Sequence, residues 1–206
     1  RRALGLEAAL TVMSIRSVKP VYNPLAIADA FGLVAQQAPA VRFIVRTHNS
    51  DPELLAQFRQ RIDAAGAAGA VSYTGDLSDD RAIAEGYAAA DIAVSVPSSD
   101  GTPSSVLEAM ACGAAPILSD LPSLHEWVRD GQEGLFVPAG DGGALAAAIL
   151  RLVRDDGLRE RLRANSLIVI ADRADRVKRM RRAEEIYETL AAGRTPHPPQ
   201  EVTLSP

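Results

Sequence analysis

Two carboxylates, with seven residues between them, stand out in the segment Ser98-Ser99-Asp100-Gly101-Thr102-Pro103-Ser104-Ser105-Val106-Leu107-Glu108. A carboxylate accepts hydrogen bonds from hydroxyl groups. The backbone N–H groups that open a helix meet phosphate oxygens. Acids on both sides of a Gly/Ser/Thr loop therefore suit a ligand that is both hydroxylated and phosphorylated, with Gly101 permitting close backbone approach. A nucleotide sugar fits better than a dinucleotide, because no Gly-x-Gly-x-x-Gly series follows Ile15 to turn around that cofactor's pyrophosphate. Plainer readings stand beside these: Asp100 as a turn acid, Glu108 as a helix-surface acid, and Ser104 and Ser105 as helix-entry polar residues.

A strand before this loop and a helix after it must hold it in place. Residues 91–96 read as a buried strand that stops at Pro97, and residues 103–112 as a helix ended by Gly113. The same alternation runs along the chain. Apolar runs at 10–15, 41–45, 70–73, 92–96, 115–118 and 134–137 predict six strands. Helical spacing predicts helices over 24–37, from the Asp51-Pro52 cap onward, over 79–89, around 121–129, and then over 143–154, 157–171 and 174–192. Short strands without polar alternation, separated by helices, belong to a parallel sheet covered on both faces.

The expected fold is α/β: a doubly wound, six-stranded, Rossmann-like parallel sheet with helices on both faces, followed by C-terminal helices. One domain is expected over residues 1–192, with the sheet unit at about 10–154, helices over 155–192, and a flexible proline-rich tail at 193–206. Ligands of such sheets bind beyond the carboxyl ends of the strands, where the winding reverses. That gathers residues 16–23, 46–50, 74–78 and 97–105 around one crevice.

Composition narrows the function classes. A hydrophobic content of 47% in 206 residues is enough for a core, and 4% aromatics make it aliphatic. A net charge of −4 gives no reason to expect nucleic-acid binding. Residues 151–182 nevertheless hold 11 Lys/Arg against five Asp/Glu. That stretch reads as a solvated helix face, with contact to a second domain, another anionic partner or a membrane surface left open. The single cysteine, Cys112, excludes an intrachain disulfide, fits a reducing compartment and reads as a small buried hydrophobe. No apolar run reaches membrane-spanning length and no signal peptide is visible, so a cytoplasmic protein is expected, peripheral contact with the inner membrane face remaining open. The start Arg1-Arg2-Ala3-Leu4, without methionine, reads as a fragment of a longer protein. His48 and His125 have no partner at metal-ligand spacing, so no metal site is expected.

Taken in order, these segments resemble the C-terminal, donor-binding domain of a retaining GT-B glycosyltransferase of family 4 (glycosyl transferases group 1). Asp100, seven residues, Glu108 and then Ala109-Met110-Ala111-Cys112-Gly113 is similar to the family's Glu-x7-Glu followed by Ala-Met-Ala-x-Gly. Tyr73-Thr74-Gly75, Tyr87-Ala88-Ala89-Ala90-Asp91, Pro97-Ser98, Pro116-Ile117, Ser119-Asp120 with Glu126, and Asp130-Gly131-Gln132-Glu133-Gly134-Leu135-Phe136-Val137-Pro138 extend the likeness across residues 10–190.

The resemblance implies roles. Glu108 matches the acid that grips the ribose hydroxyls, and Asp100 the acid that contacts the donor sugar. The backbone of Gly101, Thr102, Pro103, Ser104 and Ser105 would support sugar and diphosphate. Arg16 matches the arginine that offsets charge on the leaving diphosphate, which makes Arg16, Asp100 and Glu108 the catalytic candidates. Gly75 and His48 are expected to line the donor pocket, His48 having a surface-loop reading as its alternative.

Two departures from the family pattern are visible. The usual lysine five residues after the arginine is replaced by Val21, followed by Tyr22, and Lys19 reaches the same phosphates only if the loop runs differently. Asp100 is one methylene shorter than the family's glutamate.

By the same resemblance the ligand is a nucleotide diphosphate sugar, a substrate rather than a bound cofactor. The intact enzyme would transfer its sugar to a hydroxyl acceptor with retention of configuration. Its acceptor-binding half would lie in an N-terminal domain of the same full-length chain. A sugar-nucleotide epimerase of this fold and a non-catalytic nucleotide-binding module are the alternatives.

Overall fold

The computed structural model describes residues 9–75 and 80–195. Six strands, β1 (Thr11–Ser14), β2 (Arg42–Arg46), β3 (Val71–Thr74), β4 (Ile92–Ser95), β5 (Ala115–Ser119) and β6 (Leu135–Val137), form one parallel sheet in the order 3-2-1-4-5-6. The chain winds outward from β1 to β3, then returns and winds the other way from β4 to β6. The reversal falls between β1 and β4, where Ser14 lies opposite Val94, and the fold is the doubly wound α/β architecture expected.

The strands lack polar alternation because both faces of the sheet are buried. Val12, Phe43, Val45, Val94 and Ile117 point to one face, and Met13, Ile44, Ala93 and Leu118 to the other. The first face is covered by α1 (Pro24–Gln37), α2 (Pro52–Ala64) and α6 (Gly142–Arg154), with Phe31 stacked on Phe43 at 4.3 Å between ring centroids. The second is covered by α3 (Asp80–Ala88), α4 (Ser104–Ala111) and α5 (Pro122–His125), through Tyr87, Val106, Met110 and Leu124. Leu158 and Leu162 of α7 (Asp156–Val169) join the first of these clusters.

Asp side chains start several helices by accepting an otherwise unpaired N–H. Asp51 takes Leu54 N–H at 2.9 Å, and Asp141 and Asp155 take those of Ala144 and Leu158 at 2.8 Å. The helix expected to run to Arg129 ends instead at His125. The Arg129 N–H is taken by Glu133 Oε2 at 2.8 Å, and the Arg129 guanidinium grips the same carboxylate, so the backbone turns towards β6. Gly134 closes that turn. A Cβ there would stand 2.8 Å from the Pro116 carbonyl oxygen, so only glycine lets β6 approach β5 this closely.

The chain divides into two compact units, the first ending at Ile170 and the second beginning at Ala171. The second contains α8 (Arg176–Ala191), capped by Asp175, with Val177, Met180, Tyr187 and Leu190 exposed. Among the described residues, no helix is long and apolar enough to cross a membrane. Beyond Thr195, the stretch expected to form a flexible tail lies outside the described residues, as do residues 76–79 of the loop after β3.

Candidate functional site

Chemistry-bearing side chains concentrate where β1 and β4 end. Ile15 N–H still bonds Val94 O at 3.2 Å, so Arg16 is the first residue to leave the sheet, beside the end of β4. Its guanidinium is a hub. Nε donates to Ser95 Oγ at 3.2 Å, Nη1 to Ser105 Oγ at 3.1 Å, and Nη2 forms an ion pair with Asp100. The Arg16 Cζ also lies 5.1 Å from the centroid of the Tyr22 ring, within cation–π range. The Arg16 and Asp100 side chains are only 13% and 15% exposed, so their attraction is less screened than that of a surface pair.

Asp100 is fixed from other directions as well. Its Oδ1 accepts the Gly101 N–H at 2.9 Å, and its carbonyl oxygen accepts from Ser123 Oγ of α5 at 2.8 Å. Thr102, Ser104 and Glu108 are exposed on the same loop and helix, whereas Pro103 and Ser105 are buried. A Cβ on Gly101 would meet open space, so the protein itself does not demand glycine there. The N–H groups of Gly101 and Ser104 are occupied by Asp100 Oδ1 and Thr102 O, and Pro103 has none. Among the described residues this leaves the amides of Thr102 and Ser105 for a bound oxyanion.

Neighbouring loops are tied to this cluster. Asn23, left-handed at φ 50°, donates from Nδ2 to Val96 O at 2.8 Å, and Ser98 N–H donates to Val21 O at 2.8 Å. On the other flank Val18 N–H donates to Ser50 Oγ, and Asp51 N–H to Val18 O, both at 2.8 Å. Lys19 is half-buried in the first loop, just before a 3-10 turn at Pro20–Tyr22. Among the described residues, no hydrogen bond or ion pair joins it to the Arg16 cluster. His48 is exposed, its carbonyl accepting from Ser17 Oγ at 2.7 Å, and Gly75 is exposed just beyond β3. His125 lies on the rim, with Nε2 2.6 Å from Asp120 Oδ1 and its ring 4.2 Å from that of Phe136.

Several contributors were not singled out from the sequence. Ser95 was the most legible, a hydroxyl at the end of an apolar strand. Tyr22 and Ser123 gave no signal, because their contacts depend on how loops far apart in sequence meet. Tyr87, which opens the family-like segment Tyr87-Ala88-Ala89-Ala90-Asp91, is 1% exposed. Its hydroxyl lies under the site, and among the described residues neither it nor Arg46 Nε has a hydrogen-bond partner. Burial pushes the Tyr87 phenol above its ordinary pKa, opposed by the Arg46 charge and reinforced by that of Glu108. Ser105 lies beside this phenol, but its Oγ is engaged by Arg16 and forms no well-directed bond with Tyr87. Burial, and after it the Glu108 charge, raise the pKa of the Cys112 thiol, which suits a packing role more than nucleophilic chemistry. Among the described residues, no group of three or more His, Cys, Asp or Glu could hold a metal ion.

Comparison with known proteins gives a consistent picture. The family model for glycosyl transferases group 1 matches residues 2–167. A phosphatidyl-myo-inositol mannosyltransferase of Mycobacterium leprae is 39% identical over 92 residues, covering 42% of this chain and 23% of that protein. The crystal structure of Anabaena HepE in complex with UDP and glucose matches with a TM-score of 0.81 at 21% identity, over 93% of this chain and 51% of that one. The C-terminal domain of a glycosyl transferase group 1 family protein from Francisella tularensis matches with a TM-score of 0.76 at 19% identity, over 81% of this chain and 87% of that one. At these identities the two structures establish likeness of fold. The chain thus spans about a quarter of its mycobacterial relative and about half of the Anabaena chain.

Proposed function

The chain belongs to the group 1 glycosyl transferases, and from that membership we propose that it is the donor-binding half of a retaining glycosyltransferase. The full enzyme would take a nucleoside diphosphate sugar and pass the sugar to a hydroxyl acceptor held by a second, N-terminal domain. A cytoplasmic location, with the basic α8 free to meet a membrane face, belongs to the same proposal. The observation that carries it is the cluster of Arg16, Ser105 and Asp100 at the β1/β4 reversal, with Glu108 farther along the same helix. The Anabaena neighbour was solved with UDP and glucose, which supports a ligand of this class.

Each group has a task in that reaction. Negative charge grows on the leaving diphosphate as the glycosidic bond breaks, and Arg16 with the Thr102 and Ser105 amides supplies fixed donors towards it. Asp100 orients the sugar hydroxyls, and Glu108 the ribose, so that the anomeric carbon faces the acceptor. Asp100 is no nucleophile in this scheme, since its carboxylate is held by Arg16 and the Gly101 N–H, and its backbone carbonyl by Ser123 Oγ.

Calorimetric titration with UDP, GDP, ADP and their sugar conjugates tests the proposal. Saturable binding of one base is expected, weakened by about tenfold in Glu108→Ala as charge-assisted ribose bonds are lost. Equal affinity in the variant removes Glu108 from the site. Absence of binding by every nucleotide at millimolar concentration, here and in the full-length protein, overturns the donor-domain reading.

A further inference from the structure

Arg46 has no task in the scheme above, yet its position and surroundings are those of a ligand-binding cation. It is the last residue of β2. Val45 lies opposite Ser14 of β1, and Arg46 opposite Thr74 of β3. Arg46 therefore leaves the carboxyl edge of the sheet one strand away from Arg16. Alternation sets its direction, because Phe43 and Val45 face the α1/α2 layer while Ile44 faces Tyr87 and Val106. Arg46 shares the parity of Ile44, and so rises on the side of α3 and α4, where Glu108 stands.

Among the described residues, Arg46 Nε is buried without a hydrogen-bond partner, and so is the neighbouring Tyr87 hydroxyl. Among the described residues no carboxylate forms an ion pair with Arg46. Its charge acts on the Tyr87 phenol, which also feels Glu108 and Arg16. A half-buried cation with an unsatisfied buried donor costs folding free energy unless something that accepts hydrogen bonds comes to it. Nearby, Arg16 is partly neutralised by Asp100, and an apolar Val21 stands five residues after Arg16.

We propose that Arg46 is a second cationic ligand for the donor's phosphates, its guanidinium binding a phosphate oxygen on the α3/α4 side of the crevice while Arg16 binds from the β1 side. The inference rests on the donor-domain reading and adds a residue to it.

The test uses the chain with Arg46→Gln and Arg46→Lys, inorganic pyrophosphate, UDP and GDP as probes, and uridine and guanosine as phosphate-free controls. Arg46→Gln is expected to weaken pyrophosphate and the bound diphosphate by about tenfold, to leave the nucleoside unchanged, and to flatten the salt dependence. Arg46→Lys should retain most of the affinity, and thermal melting confirms that both variants are folded. Parent-like pyrophosphate and diphosphate binding in Arg46→Gln overturns the inference, while the donor reading survives if Glu108→Ala still weakens the nucleotide. Equal loss for nucleoside and diphosphate, unrescued by lysine, assigns Arg46 to structure and also overturns it. A parent chain and full-length protein that bind none of the probes overturn both readings together.

Discussion

Asp100→Asn should tighten the binding of a free nucleoside diphosphate while failing to tighten that of its sugar conjugate. The substitution keeps the side-chain shape and an oxygen for the Gly101 N–H, but removes one negative charge beside Arg16. In the structure Nη2 of Arg16 is committed to Asp100, so a phosphate approaching the guanidinium shares that group with a carboxylate and lies near its charge. A phosphate beyond the guanidinium would sit at roughly 8 Å from the carboxylate, where each pair of unit charges repels by about 2 kcal/mol at an effective dielectric of 20. Residual exposure of 13% and 15% for the two side chains admits some screening, and reduces the effect to about 1 kcal/mol. That corresponds to about fivefold in affinity. A sugar conjugate gains the same relief but loses the hydrogen bonds that a full carboxylate makes to its hydroxyls, so the net change should be near zero or unfavourable. Calorimetry with diphosphate and sugar diphosphate, at low and high salt, reads both numbers, and the gain for the diphosphate should shrink as salt rises. Diphosphate binding that is unchanged or weaker in a folded variant would refute this account of the Arg16–Asp100 pair.

Gly134→Ala should destabilise the protein by about 2 kcal/mol, since its Cβ would stand 2.8 Å from Pro116 O and 2.9 Å from Pro116 Cγ; an unchanged urea midpoint would count against the tight β5–β6 turn. Tyr87→Phe removes an unpartnered buried hydroxyl, so stability at neutral pH should hold to within about 1 kcal/mol or rise. Burial raises the folded-state pKa of Tyr87 above the ordinary value of 10.0, so its contribution is intact below that pH and is lost as pH rises through the folded value. The variant should therefore decline less steeply in alkaline unfolding curves, and coincident curves would rule this out.

Much of the fold was legible because its signals are local. The six apolar runs became the six strands, and α1 occupies the expected residues, Pro24–Gln37. Periodicity could not show where α5 stops. That end depends on the Glu133 side chain reaching back to the Arg129 N–H, a contact made only once β6 has docked on β5. Within the site, the family-like spacing of Asp100 and Glu108 drew attention to their loop, and the resemblance pointed to Arg16, directly after the first strand. Their pairing was not visible, since Arg16 and Asp100 are 84 residues apart. Nor was it visible that the buried Tyr87 hydroxyl lies near Arg46 and Glu108, since that required three elements to be in place.

The sequence by itself determined the alternation of strand and helix, the buried parallel sheet, and the loop that carries the two acids. All of these follow from side-chain hydrophobicity repeating over a few residues, and from caps and glycines that act on their own turn of backbone. Only the tertiary structure decided which charges meet. The 3-2-1-4-5-6 order brings the ends of β1 and β4 together, and with them Arg16, Ser95, Asp100 and Ser105. It also sets Arg46 one strand away from Arg16, on the α3/α4 side of the sheet. Electrostatic partners act through distance in space, which the order of residues along a chain does not specify.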